Sequence, residues 1–352
     1  MKGREIANVL DLNKKEVNSY LYKNKSKFRI NSNNQWFNLQ GSSHTLELEG
    51  DTWVNADSFE SSLLNSGCLL SSKSDSYTII LPKECKPLLE SIARLLAISN
   101  QLNYLGNKVE INLKECKATK SYLNRIGFFD LLHPDIVVKP RRPKRSTARI
   151  YRGNNESVVE LGEIDPKQPE RALPKMLKKS FVAEAGEEYQ DAAFTFFSEL
   201  FDNICEHSET PIPGFAALQV YGKNGNGRHH IQVVVSDSGK GIVETLKPVL
   251  KKYYPELHRD LDFTHPESNA LLLEKVLLDG RITRKGDPEE TGRGLGLKRS
   301  ADYAPQYNAR ISVRQEAFEL KIFYKNGAVR TRSNKNLPRI LGTHICFDFY
   351  LS

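Results

Sequence analysis

The sequence predicts a multidomain α+β protein, and three observations carry that prediction. Its 352 residues exceed what one compact domain usually holds. Its apolar residues switch repeatedly between the helical and the strand period. Its composition shifts at three places without any internal repeat, which divides it into 1–42, 50–136, a connecting stretch 137–174, and 175–352. Hydrophobic residues at 39% suffice for real cores, and 27% charged residues with a net charge of +8 describe a soluble, moderately basic chain. No apolar run approaches the ~20 residues of a membrane-spanning helix, and the start has no apolar signal core. The cysteines Cys68, Cys85, Cys116, Cys205 and Cys346 are odd in number, widely spread and form no CxxC pair. That excludes a disulfide framework or a zinc cluster and fits a reducing cytoplasm without a membrane partner.

In the first segment, Arg4–Leu10 has the spacing of a short helix, and Asp11-Leu12-Asn13 forms a turn with a candidate N-cap. Lys14–Tyr22 reads as a second, basic helix. Lys27–Ile30 and Gln35–Leu39 read as a β-hairpin around Asn31–Asn34. Helix, turn, helix and wing is a nucleic-acid-reading arrangement, and up to Arg29 eight basic residues face three acids. The string Lys14-Lys15-Glu16-Val17-Asn18, then Leu21-Tyr22, with Trp36 in the second wing strand, resembles the Z-alpha family of winged helices. That resemblance implies that Lys14 and Asn18 contact phosphates, that Tyr22 packs against an unusual base conformation, and that Trp36 supports it. The family's proline pair before the tryptophan is replaced by Asn33-Asn34-Gln35. Z-form preference, ordinary duplex or RNA binding, and a protein-contact role therefore all stay open for this segment.

In the second segment, Thr78–Leu81 and Val109–Leu113 read as strands, and Leu88–Leu102 and Lys120–Leu132 as helices. The strand at 109, the turn 114–119 and the helix after it resemble STAS-like domains, which implies a docking or scaffolding module. Thr119 and Ser121 fall near the position at which STAS partners of anti-sigma kinases are phosphorylated, but the DSSG pattern is absent, and they read as turn and cap residues. Lys139–Arg152 follows, with seven basic residues, two prolines and no acid. Proline removes backbone donors and like charges repel, so the stretch reads as an exposed, solvated linker.

The last segment carries three motifs. On the helix Ala192–His207, Phe196, Phe197, Leu200 and Ile204 recur at helical spacing, and Glu199, Asn203 and His207 share a second stripe. A carboxylate and an amide stacked there suit metal-assisted hydrolysis, although a solvated polar face would look the same. Ile231–Asp237 is a β-branched strand ending in an acid, followed by Gly239 and Gly241. Its aspartate is placed to accept a hydrogen bond from an exocyclic amine, and an ordinary strand-end turn has the same pattern. Thr291–Leu297, with Gly292, Gly294 and Gly296, precedes a helix at Lys298–Tyr303 and suits phosphate oxygens. It is neither a Walker A loop nor a Rossmann fingerprint.

In this order, ExxxN, DxGxGI and GxGxGL resemble the N, G1 and G2 boxes of the GHKL ATPases, over about 175–352. Gly342-Thr343 and the strand His344–Leu351 resemble that family's closing element. The resemblance implies an α/β sandwich that binds ATP with Mg²⁺. Glu199 would be the general base on the attacking water, and Asn203 the magnesium ligand. Asp237 would take the adenine amine, with Thr343 in support. Gly239 and Gly241 would lie against the nucleotide, and Gly292, Gly294 and Gly296 would wrap the phosphates. Val243–Glu290 would form a charged lid. No histidine-bearing dimerisation helix precedes residue 175, and His133 stands beside Pro134, so a conventional histidine kinase is disfavoured.

The leading reading is a cytoplasmic signalling or regulatory ATPase whose winged helix senses or tethers to nucleic acid. One alternative is an anti-sigma-type serine/threonine kinase acting on a protein client, which would share every ATP-site residue. The other is a non-enzymatic nucleic-acid-binding regulator for which ATP is a conformational ligand. Relatives often dimerise, which leaves a homodimer open.

Overall fold

The computed structural model describes residues 1–25, 28–31, 34–38, 43–49, 52–72, 74–167, 172–222, 228–278 and 308–351. It is a multidomain α+β protein of three packed parts. The first contains α1 (Gly3–Leu10), α2 (Lys14–Lys23) and the antiparallel hairpin β1 (Phe28–Ile30) and β2 (Trp36–Asn38). Asn13 caps α2 by accepting the Lys15 N–H at 2.8 Å. Ala7, Val17, Leu21 and Trp36 form its small core.

The second part contains β3 (Ser43–Glu47), β4 (Trp53–Val54), α3 (Ala56–Ser66), β5 (Ser76–Ile80), β6 (Lys86–Pro87) and α4 (Leu89–Tyr104). It continues with β7 (Lys108–Asn112), α5 (Lys117–Arg125), α6 (Phe128–Leu131) and β8 (Val137–Lys139). Strands β3, β5, β7 and β8 form a parallel sheet in that order. The sheet thus begins before residue 50 and ends after residue 136, beyond the bounds that composition suggested. Thr119 and Ser121 lie inside α5 rather than in a turn, and the buried Thr119 hydroxyl donates to the Cys85 carbonyl.

The third part contains α7 (Thr147–Tyr151), β9 (Val158–Ile164), α8 (Ala172–Ala185), α9 (Gln190–His207), β10 (Gly214–Tyr221) and β11 (His230–Asp237). It continues with α10 (Gly241–Tyr253), α11 (Pro255–Asp260), α12 (Pro266–Leu278), β12 (Ala309–Glu316), β13 (Phe318–Lys325), β14 (Ala328–Asn334) and β15 (Ile340–Tyr350). Its seven strands form an antiparallel sheet in the order β14-β13-β12-β15-β11-β10-β9.

Two sequence expectations are corrected here. The connecting stretch expected over 137–174 contributes to both sheets, since β8 completes the parallel sheet and β9 is an edge strand of the antiparallel one, while residues 140, 141, 144, 145 and 149–152 between them are exposed. Its Arg142 is drawn inward because its guanidinium donates to the carbonyls of Leu132 (3.1 Å), His133 (2.6 Å) and Ile136 (3.2 Å). Arg125, on α5, pairs with Glu160 of β9. The expected lid is also packed structure as far as residue 278. Val243, Leu246 and Leu250 on α10, and Leu272, Leu273, Val276 and Leu277 on α12, are core residues on the sheet. Lys251 and Lys252 lie in the exposed last turn of α10, while Arg281, Arg284 and Lys285 lie outside the described residues.

Strand alternation explains the layering, because successive side chains point to opposite faces. On β11, Ile231, Val233 and Val235 join the core beneath α8, α9, α10 and α12, whereas Val234 faces the second part. Likewise Ile345, Phe347 and Phe349 of β15 face the helices, and Cys346 faces α4. With both faces covered, these strands are apolar throughout. Helix α4 is buried on all sides for the same reason, lying between the two sheets.

The seam between α4 and the antiparallel sheet is charged. Arg94, 1% exposed, donates to Glu60 (2.6 Å), Glu90 (2.7 Å) and Glu319 (2.5 Å). Arg314 pairs with Glu60 at 3.0 Å, and Arg310 bridges Glu90 and Asp348. Burial alone would raise the Glu319 carboxyl, but the guanidinium of Arg94 beside it holds it well below the usual carboxylate range. Charges this deep are tolerated only when each is paired. No helix among the described residues is long and apolar enough to cross a membrane.

Candidate nucleotide cleft and helix-hairpin surface

The C-terminal turns of α9 cross the end of β11 where it meets β15. Phe196, Phe197, Leu200 and Ile204 anchor α9 to the sheet, which leaves Asn203 on its flank. A cleft opens there, lined by Leu200, Asn203, Ile204, Ser208, Val235, Asp237, Gly241, Ile242, Thr245, Thr343 and Ile345. It is half-open to solvent, with a cavity volume of about 40 Å³.

Asp237 and Thr343 are direct cross-strand partners in the β11–β15 ladder. One carboxylate oxygen of Asp237, Oδ1, accepts the Gly239 N–H at 2.7 Å. The Thr343 hydroxyl accepts from Gln315 Nε2 at 3.1 Å, so its own proton is not used in that bond. Gln315 in turn accepts the Val243 N–H at 3.2 Å, which fixes the start of α10 against the same strand end. The two glycines serve protein packing as well. A Cβ at Gly239 would stand 1.9 Å from the Ser208 carbonyl oxygen. Gly241 has φ +78°, and a Cβ there would stand 2.1 Å from Gln315 Nε2. Gly241 lines the cleft; Gly239 is not among the lining residues.

Of the residues expected from sequence, Asn203, Asp237, Gly241 and Thr343 come together in one cleft. Glu199 sits one helical turn before Asn203 on α9 and does not line the cleft itself. Gly292, Gly294 and Gly296, with the helix expected at 298–303, lie outside the described residues.

Sequence reasoning missed Ser208. It follows the last residue of α9, is 4% exposed, and its hydroxyl is buried in the cleft wall without a hydrogen-bond partner among the described residues. Serine is too common at helix ends for the sequence to single it out. Buried hydroxyls are normally satisfied, so one at a cleft wall marks a place for a ligand atom or a water.

Chemically, the cleft offers the carboxylate of Asp237 and the hydroxyl of Thr343 between aliphatic walls from Leu200, Ile204, Val235, Ile242 and Ile345, with the buried Ser208 hydroxyl set in the wall. A flat heterocycle bearing an amine suits that combination. The Asn203 amide is one oxygen ligand of the kind Mg²⁺ takes when phosphates and waters supply the rest. The buried group Glu90, Cys346 and Asp348 also clusters at the seam, but Arg310 already pairs with both carboxylates.

A second surface lies on the first part. Lys14, Asn18 and Tyr22 are spaced four apart on α2 and share one stripe. Lys14 is exposed and Asn18 is half-buried against Gly3 of α1. Tyr22 is 52% exposed and meets the buried Trp36 edge-on, centroids 4.8 Å apart at 89°. Lys25 Nζ lies 5.5 Å from the centre of the Tyr22 ring. Trp36 is thus core and Tyr22 is displayed, held upright by the tryptophan behind it.

No family model matches this chain, and no curated protein matches it either.

Proposed function

We propose that the protein is a regulatory ATPase of the GHKL type, with a STAS-like middle part and a Z-alpha-like winged helix. One observation carries the reading: Asp237 and Thr343, 106 positions apart in sequence, are cross-strand neighbours on the floor of a cleft that Asn203 flanks. The Asp237 carboxylate would accept the exocyclic amine of adenine, and the Thr343 hydroxyl would donate to the ring nitrogen beside it. Guanine presents a carbonyl where adenine has its amine, so the carboxylate would repel it. The aliphatic walls would hold the ring faces.

Mg²⁺, held by Asn203, would neutralise phosphate charge. Glu199, one turn nearer the start of α9, would then stand beyond the metal ligand, where a general base takes a proton from an attacking water. Glu199→Ala should retain ATP binding while hydrolysis falls ~10²–10⁴-fold. Unchanged turnover would overturn the assigned base, and radiolabel appearing on protein rather than as free phosphate would favour the kinase reading.

The stripe on α2 supports a nucleic-acid surface as a second element of the proposal. Lys14 and Asn18 would meet phosphates while Tyr22, displayed by Trp36, would read shape rather than base sequence.

A further inference from the structure

Gln101, on α4 of the second part, is fully buried and lies far in sequence from the residues it holds. Its Nε2 donates to the Ser238 hydroxyl at 2.9 Å and to the Leu341 carbonyl at 2.8 Å. Its Oε1 accepts the Leu341 N–H at 2.9 Å. The amide thus pairs with both backbone groups of Leu341, as a neighbouring strand would, and reaches across to the exit of β11. Ser238 directly follows Asp237, and Leu341 precedes Thr343 by two residues. One side chain from a different sheet system therefore ties the two chain segments that carry the recognition pair.

Helix α4 cannot shift easily beneath them. Arg94, two turns earlier on the same helix, is held by three carboxylates, one of them Glu319 on β13. The remainder of α4 is packed between the two sheets.

We propose that Gln101 is a positioning residue for the cleft, and that through it the parallel-sheet part sets how tightly the cleft holds its nucleotide. This rests on the nucleotide reading given above. The second part is then a component of the binding site, and a partner that displaced α4 would change affinity without touching the cleft.

The test compares ATP affinity and melting temperature in the full chain. Gln101→Met keeps the length of the side chain but removes all three hydrogen bonds. ATP affinity should fall about tenfold or more, because the chain leaving β11 at Ser238 and the start of β15 at Leu341 lose the anchor that holds them on either side of the recognition pair. Ser238→Ala removes one bond from the other side and should cost a smaller factor, about two to five. Leu96→Ala, on the same helix but away from the cleft, should lower the melting temperature and leave ATP affinity unchanged. ATP affinity unchanged in Gln101→Met, or reduced equally in Leu96→Ala, would overturn the proposal. If ATP binds and Asp237→Asn weakens binding at least tenfold while Gln101→Met does not weaken it, only the role of Gln101 is wrong. If the wild-type chain takes up no ATP, the nucleotide reading is wrong and the role of Gln101 falls with it.

Discussion

His344 gives acid sensitivity a specific address. It follows Thr343 on β15, faces away from the cleft toward α4, and is 4% exposed. Its Nε2 lies 2.9 Å from the Leu341 carbonyl and donates to it, while its Nδ1 is buried without a partner among the described residues. Burial, with Arg314 and Arg94 nearby adding repulsion, pushes its pKa down from 6.5 to about 3. In the unfolded chain the same imidazole titrates near 6.5. Between those values the unfolded chain binds a proton that the folded chain refuses, so stability rises with pH from about 3 to 6.5. At pH 5 the gap to the unfolded value is 1.5 pH units, and at 1.36 kcal/mol per unit the loss relative to pH 8 is about 2 kcal/mol. Urea denaturation followed by circular dichroism at pH 8, 6.5 and 5 measures it. His344→Gln keeps a donor toward Leu341 but cannot titrate, so its stability should fall much less between pH 8 and pH 5. Equal losses in wild type and His344→Gln over that interval would refute the assignment.

Ser208→Ala should change stability by less than about 0.5 kcal/mol, because the lost hydroxyl has no partner among the described residues, yet weaken ATP binding about three- to tenfold. Thermal melts and ATP titration of the same preparation check both halves. Asn18→Ala and Tyr22→Ala should weaken binding to a Z-prone alternating purine–pyrimidine duplex more than to an ordinary duplex. Gel-shift titrations of the two duplexes measure this, and equal losses on both would remove shape reading from the account.

Much of the site was legible where residues that act together also lie together in sequence. Asn13 as a cap and the stripe Lys14–Asn18–Tyr22 follow from helical spacing alone. So does the arrangement of α9, where Phe196 to Ile204 fix which flank Asn203 must occupy. The strand at 231–237 and its terminal acid follow from β-branched alternation. What was hidden depends on register and on contacts far apart in the chain. Nothing local says that Asp237 will face Thr343, or that Gln101 will reach residues 137 and 240 positions away. The stretch from Lys139 to Arg152 is largely exposed, as its charge implies, but charge alone did not show that Arg142 spends its donors on three carbonyls rather than in water. In the region expected as a lid, charge misled. Lys251 and Lys252 drew attention from Leu272, Leu273, Val276 and Leu277, whose helical spacing commits α12 to the core.

Calorimetric titration of the full chain with ATP and with GTP, each with Mg²⁺, for wild type and Asp237→Asn, bears most directly on the cleft. Adenine recognition through Asp237 requires ATP to bind, GTP to bind at least tenfold more weakly, and Asp237→Asn to lose roughly 10- to 150-fold of the ATP affinity, the loss that follows from one charge-assisted hydrogen bond. Equal binding of ATP and GTP, with Asp237→Asn indistinguishable from wild type, would contradict it.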